Sequence, residues 1–260
     1  MEPEVTAIIQ ARMTSARLPG KVMKEVLGRP LLSYLIERVR CCKGIKDIVL
    51  ATTLNSEDDS IAIFGSNKGV QVFRGSEKNV LERFHGAATM FGAGHIMRVT
   101  ADCPLIDPDI LAMLIEYYFS ENLDYASNCL YPTLPDGLDA EIFNFETLDY
   151  AYKHALLPSE LEHVTPYIRN HPEIFKTGNW TYHENFSQLR WTVDEPEDFE
   201  FVRQVIEKLY PVNRNFRMND VLELVYQRPD LAKINIHIKR NEGLLKSLAE
   251  DKMLPKKKID

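Results

Sequence analysis

Short, nearly unbroken apolar runs alternate with amphipathic stretches through the first half of the chain, and this alternation constrains the fold more than any other feature. Residues 5–9, 48–51, 70–73 and 95–99 read as strands buried on both faces, the pattern of a parallel sheet. Between them, Pro30 opens a helix at the position that suits proline, and Leu32, Leu35, Ile36 and Val39 fall on one of its faces. Residues 57–67 and 108–119 read as further helices. Val80, Phe84, Ala87, Ala88 and Phe91 line another, for which Ser76 is a candidate cap with Asn79 three residues on. Strand and helix in this order predict an α/β fold with right-handed crossovers and helices on both faces of a mostly parallel sheet.

The rhythm breaks at about 130–189, a stretch rich in Pro, Tyr, His and Asn with two helical segments. It reads as an insertion within a single domain over 1–245, completing a substrate pocket or a subunit interface. Residues 189–193 read as a returning strand. Phe199, Val202, Ile206 and Leu209 mark a long amphipathic helix, and 219–227 a further one. Residues 246–260, with Lys256, Lys257 and Lys258, read as a tail.

With 260 residues, 45% of them hydrophobic, the chain can bury a sizeable core. A net charge of −7 disfavours nucleic acid as a partner, because that role needs a basic surface. The four cysteines, Cys41, Cys42, Cys103 and Cys129, form no C-x-x-C pair, so neither a zinc site nor a disulfide framework is expected. Cys103 reads as a small core residue. The start Met1-Glu2-Pro3-Glu4 lacks a signal peptide's basic flank, and no run nears the roughly 20 apolar residues that span a bilayer. The expectation is a cytoplasmic protein with no membrane partner.

Chemistry enters at Gln10-Ala11-Arg12-Met13-Thr14-Ser15-Ala16-Arg17-Leu18-Pro19-Gly20-Lys21, directly after the first strand. Ligands of open α/β sheets bind beyond the carboxyl ends of strands. Arg12, Arg17 and Lys21 supply positive charge for phosphate oxygens, and free backbone N–H groups can add to the cradle. The loop is not a Walker A motif, since Ser15 stands at its first glycine position and Val22 follows Lys21. Taken by charge alone, it is also compatible with a solvated basic turn.

Two aspartates sit at equivalent places. Asp102 follows the strand at 95–99, and Asp194 follows the run ending at Val193. Each can be a helix cap, with Pro104 and Pro196 two residues later, or a magnesium ligand, because magnesium takes one or two carboxylates plus phosphate oxygens. Asp107 before Pro108 reads as an N-cap, and Asp198 as a first-turn residue of its helix.

The loop resembles the I-Q-A-R-M-x-S-x-R-L-P-G-K signature of the cytidylyltransferase family. That family includes CMP-Kdo synthetases, CMP-sialic acid synthetases and the spore-coat polysaccharide biosynthesis protein F group, which the chain resembles most. The resemblance continues through Phe73-Arg74-Gly75-Ser76, Arg98-Val99-Thr100-Ala101-Asp102-Cys103-Pro104, Pro135-Asp136-Gly137-Leu138-Asp139, His163-Val164-Thr165-Pro166-Tyr167-Ile168 and Leu189-Arg190-Trp191-Thr192-Val193-Asp194, covering roughly residues 5 to 245.

It implies a Rossmann-like nucleotidyltransferase fold, a homodimer, and transfer of CMP from CTP to an acidic sugar of the 2-keto-3-deoxy type for surface polysaccharide biosynthesis. It implies Mg2+ shared by Asp102 and Asp194. The nucleotide would be held by Gln10, Ala11, Arg12, Ser15, Arg17, Lys21, Arg74, Ser76 and Thr100, with Arg12, Lys21 and Asp102 catalytic. Asp136, Asp139, Glu141, His163 and Arg169 are candidates for the acceptor. Where CMP-Kdo synthetases carry Gln-Gly-Asp, this chain has Thr100-Ala101-Asp102, which weakens the cytosine preference. The rival readings are a glycosyltransferase using a nucleotide-sugar donor and a catalytically silent sugar-nucleotide-binding module.

Overall fold

In a computed structural model of the chain, which describes residues 4–240 and 242–253, the strands and helices run β1 (Val5–Gln10), β2 (Glu25–Val26), β3 (Arg29–Pro30), α1 (Leu31–Arg40), β4 (Ile45–Thr53), α2 (Asp59–Asn67), β5 (Gln71–Gly75), α3 (Val80–Phe91), β6 (His95–Thr100) and α4 (Pro108–Ser120). There follow β7 (Tyr125–Ser127), β8 (Glu141–Asn144), α5 (Phe145–His154), α6 (Pro158–His163), α7 (Pro166–Asn170) and β9 (Thr177–Asn179). The chain closes with α8 (Pro196–Leu209), α9 (Met218–Gln227), α10 (Pro229–Ala232) and α11 (Glu242–Asp251). No described helix is long and apolar enough to cross a membrane.

Seven strands form one sheet in the order β5-β4-β1-β6-β8-β7-β9, and β2 pairs with β3 in a small separate ribbon. The pairs β1·β4, β1·β6, β4·β5 and β7·β9 are parallel, and β8 runs antiparallel to both neighbours. The fold is therefore α/β with a mostly parallel sheet. Alternation along β1 shows why both faces are covered. Ala7 and Ile9 pack with α1 and α4 residues such as Leu35 and Leu111, while Ile8 packs with Leu81 and Phe84 of α3 on the opposite side. A third cluster joins Val202 and Ile206 of α8 and Val221 of α9 to Trp191 and Val193.

β1 is flanked by β4 on one side and β6 on the other, and the connections diverge there, which opens a crevice beyond their carboxyl ends. Gln10 pairs with Thr100 in register, so the loops after β1 and β6 leave the sheet side by side.

Two expectations change, the strand at 189–193 and the tail. Residues 189–193 do not form a strand; they make a single bridge, Arg190 to Asp136. The polar side chains of this strip are used elsewhere, as described below. The stretch 130–189 supplies β8 and β9 to the central sheet along with α5, α6 and α7. Residues 242–251, most of which were expected in a tail, are the helix α11; Lys256, Lys257 and Lys258 lie outside the described residues.

Candidate active site

The loop after β1 is shaped by its own backbone. Gly20 adopts φ 68°, a left-handed conformation that glycine takes without strain, and this starts a 3-10 turn at Lys21–Met23. Gly20 N–H donates to the Met13 carbonyl at 2.9 Å and closes the loop. The fully buried Asp58 accepts from Met13 N at 2.6 Å and anchors it to the β4–α2 connection. Lys21 is thereby aimed into the crevice.

There its ammonium donates to Asp102 Oδ2 at 3.0 Å and to Asp194 Oδ1 at 2.7 Å. Two carboxylates distant in sequence thus meet at one cation. The main chain explains the convergence: Val193 N–H donates to the Asp102 carbonyl at 2.8 Å, and Thr192 Oγ1 donates to the same oxygen at 3.2 Å. The other side of the strip is fixed as well. Trp191 and Thr192 N–H both donate to the Asp136 carbonyl, at 2.6 and 2.9 Å. This close approach requires Gly137, which has φ 112° and whose Cβ would stand 2.5 Å from Thr192 N. The strip 190–194 therefore stitches the Asp102 loop to the 135–139 loop.

Arg190 secures the acidic cluster from behind. Its guanidinium reaches Asp136 at 2.8 Å, Asp194 at 3.2 Å and both oxygens of Asp198 at 2.8 and 2.9 Å. Asp198 is fully buried and also accepts from the N–H groups of Asp194 and Glu195 at the start of α8. It combines the expected first-turn role with anchoring of the strip.

These loops wall a cavity of about 640 Å3. The loop after β1 contributes Gln10, Ala11, Arg12, Ser15, Arg17 and Lys21, and β6 with its following loop contributes Arg98, Thr100 and Asp102. Asp136, Asp139, Glu141, His163, Arg169 and Asp194 complete the wall opposite. Every expected site residue except Arg74 and Ser76 therefore reaches this cavity. Arg74 instead donates to the carbonyls of Thr53 and Asn55, both at 2.8 Å, and pairs with Asp59 at 2.6 Å. Ser76 Oγ accepts from Asn79 N, and its carbonyl accepts from Arg83. Neither lines the cavity: Arg74 braces the connection from β4 to α2, and Ser76 braces the start of α3, where Asn79 is the cap.

Sequence reasoning assigned no role to several cavity charges. Arg98 pairs with Glu141 in the wall, and Arg240, which does not itself line the cavity, pairs with Asp139. Arg83, whose charge is penalised by burial and by nearby Arg12, lines the wall beside the loop. A cation inside a run that reads as a buried strand, as at Arg98, is the signal that was present. Arg240 follows no pattern that would have singled it out.

Burial pushes the Asp102 carboxyl upward, but Lys21, with Thr100 and Cys103, outweighs it and holds the group at about 2. Lys21 is pushed down by burial and raised more strongly by Asp102 and Asp194, so the ammonium stays charged. Burial lifts Asp139 to about 7 against the pull of Arg240, and it lifts Asp136 too. It lowers His163, assisted by Arg98, so that imidazole is neutral at pH 7. The Cys103 thiol is pushed well up by burial, in keeping with an inert core residue.

Glu141 accepts from Tyr125 Oη at 2.5 Å and Thr165 Oγ1 at 2.6 Å besides Arg98, so its oxygens are largely committed. Between His163 and Thr165 the chain makes a tight three-residue turn. Thr165 N–H donates to the His163 carbonyl at 2.8 Å, and Val164 takes φ 71° and ψ −53°, a strained geometry for a β-branched residue. Helix α11 closes one side. Its Ser247 is bonded to His163 and Glu162, Asp251 accepts from Ser159 N, and Glu242 pairs with Arg17. Leu245 and Leu248, 59% and 37% exposed, point away.

A basic loop at the switch point of a doubly wound sheet, facing paired carboxylates, defines a nucleotidyltransferase, and the comparisons agree. The cytidylyltransferase family profile matches residues 6–227, and the chain belongs to that family. It is 34% identical to the spore coat polysaccharide biosynthesis protein SpsF of Bacillus subtilis, over 88% of this chain and 97% of that one. A cytidylyltransferase from Leptospira borgpetersenii superposes with TM-score 0.84 at 32% identity, over 88% of this chain and 97% of that one. A CMP:2-keto-3-deoxy-manno-octonic acid synthetase complexed with CTP shares the fold, with TM-score 0.59 at 17% identity over 79% of this chain and 99% of that one.

Proposed function

We propose that the protein transfers CMP from CTP to an acidic sugar of the 2-keto-3-deoxy type, releasing pyrophosphate, in surface polysaccharide biosynthesis. The observation that carries this reading is the convergence of Asp102 and Asp194 on the Lys21 ammonium beyond β1 and β6. Among the described residues, no group of three His, Cys, Asp or Glu side chains is arranged to hold a metal. A cation bound by the two aspartates would need further oxygens from the ligand, which is how magnesium binds nucleotide phosphates. The Lys21 ammonium marks where both carboxylates draw positive charge, so the residues fit that ion. Asp102 and Asp194 would hold it, and it would neutralise charge on the α-phosphate and the leaving pyrophosphate.

The chain's own groups have distinct tasks. Arg12, Arg17 and Lys21 bind the β- and γ-phosphates, exchanging carboxylate partners for phosphate oxygens. Gln10, Ala11, Ser15 and Thr100 line the nucleotide side. Arg169, beside Glu141 in the far wall, meets the acceptor's carboxylate, and His163, Asp136 and Asp139 face its hydroxyls. Orientation and charge neutralisation supply most of the rate. The reading includes a cytoplasmic homodimer, which light scattering tests.

The deciding experiment crosses four nucleoside triphosphates with a panel of acidic sugars, with and without Mg2+, and follows pyrophosphate. The expected result is release with CTP, a 2-keto-3-deoxy sugar acid and Mg2+ together, and its loss in Asp102→Ala. Release from no combination, or near-normal release by Asp102→Ala, would overturn the reading.

A further inference from the structure

Two buried acids of the cavity, Asp136 and Asp139, keep a carboxylate oxygen that no hydrogen bond reaches among the described residues; Asp136 is tied to Arg190 and its side chain is 13% exposed against 26% for Asp139, so Asp139 is the more open of the two. Asp194 is occupied at both oxygens, Oδ1 by Lys21 and Oδ2 by Arg17 and Arg190. Asp102 is held by Lys21. Glu141 is occupied by Arg98, Tyr125 and Thr165. Asp139 is fixed through Oδ1 alone, by Arg240, and among the described residues no hydrogen bond reaches its Oδ2. Its side chain keeps 26% of its accessible surface while lining the cavity.

Its position is also set relative to the reacting end. Asp139 ends the loop that the strip 190–194 grips at the Asp136 carbonyl, and the same strip carries Asp194. On the other side it precedes Glu141 by two residues, next to the part of the wall formed by His163, Thr165 and Arg169. It therefore lies between the carboxylate pair and the acceptor end.

We propose that Asp139 is the general base of the transfer, its Oδ2 taking the proton of the acceptor hydroxyl. This rests on the function proposed above. As the hydroxyl oxygen forms its bond to the α-phosphorus, its proton passes to Asp139. The bond from the α-phosphorus to the bridging oxygen breaks, and the electron pair leaves with pyrophosphate. Arg240 is a positioning residue that orients the carboxylate.

The surroundings suit a base working near neutrality. Burial lifts Asp139 to about 7, Asp136 and Glu141 add to the lift, and Arg240 opposes it. The Cys103 and Cys129 thiols nearby are pushed up by burial and stay protonated. Below that pH the carboxyl is protonated and cannot accept, so turnover declines on acidification.

The test measures kcat against pH for the full-length enzyme with Mg2+, CTP and an acidic sugar that supports turnover. In the wild type kcat should fall about tenfold per pH unit below roughly pH 7. Asp139→Asn should lower kcat by about 10²–10⁴-fold and abolish the acid limb, with KM for CTP and calorimetric CTP binding unchanged. Asp139→Glu, which keeps a carboxylate on a longer arm, should retain a limb displaced along the pH axis. A limb unmoved in Asp139→Glu, or retained in Asp139→Asn, overturns the assignment while leaving CMP transfer standing. Failure of the wild type to transfer CMP to any acidic sugar overturns the function itself and the base with it.

Discussion

The main-chain N–H of Val193 donates to the carbonyl oxygen of Asp102 at 2.8 Å. This bond holds together two loops that leave the fold from separate elements, one after β6 and one before α8. The two carboxylates thus hold their relation through backbone, and Lys21 is left to balance their charge.

Replacing Lys21 by Met keeps the length of the side chain and removes the charge. Asp102 and Asp194 then face each other without a shared partner, which should cost roughly 1–3 kcal/mol, since the cavity admits water. CMP transfer should fall sharply. Mg2+ should raise the melting temperature of Lys21→Met more than that of the wild type, because a divalent ion binding only the folded state substitutes for the lost ammonium. Calorimetric melting with and without Mg2+ checks this; equal shifts in both proteins would disprove the shared-cation site.

Gly137→Ala should damage the site from a distance. The new Cβ would sit 2.5 Å from Thr192 N and 2.6 Å from the Trp191 carbonyl carbon, at φ 112°. Both neighbours are backbone and cannot rotate aside. The backbone strain alone should cost about 1–3 kcal/mol, and the displaced strip moves Asp194. Urea denaturation should show the loss, and KM for CTP should rise; a variant with wild-type stability would contradict the close approach.

Glu141→Gln should leave Arg98 without its counter-charge deep in the cavity wall, at a cost of roughly 3–5 kcal/mol near pH 7. Burial pushes Glu141 up, but Arg98, Arg169, Thr165 and Tyr125 more than reverse this and hold it below its ordinary value. A depressed carboxyl stabilises above its unfolded value of about 4.3, and that contribution is lost as the pH falls through the folded value. The stability gap between wild type and variant should therefore narrow below about pH 4. Denaturation at a series of pH values measures it, and a gap independent of pH would refute the ionised pairing.

The parallel half of the sheet was legible because each of its strands is an apolar run long enough to stand out, as 5–9 and 95–99 are. The remaining strands were not. Tyr125–Ser127 and Thr177–Asn179 are three residues each, and Glu141–Asn144 begins with an acid whose burial only Arg98, Tyr125 and Thr165 make tolerable. Residues 189–193 looked like a strand because Trp191 and Val193 are apolar, yet their N–H groups go to Asp136 and Asp102. The loop after β1 and the two aspartates were readable because they follow strand-like runs directly. The turning of Arg74 toward main-chain carbonyls, and the entry of Arg240 from near the far end of the chain, depend on tertiary packing that local pattern does not encode.

Helix α11 turns its serine and acids inward together with Leu244, and Leu245 and Leu248 outward. Lifting it away would wet little oily surface beyond Leu244, and water can satisfy each polar group it gave up. Its detachment would thus leave scarcely a trace in the heat capacity of unfolding, whose main source is newly hydrated apolar area. The segment's grip on the protein is set by ionic strength and hydration far more than by temperature.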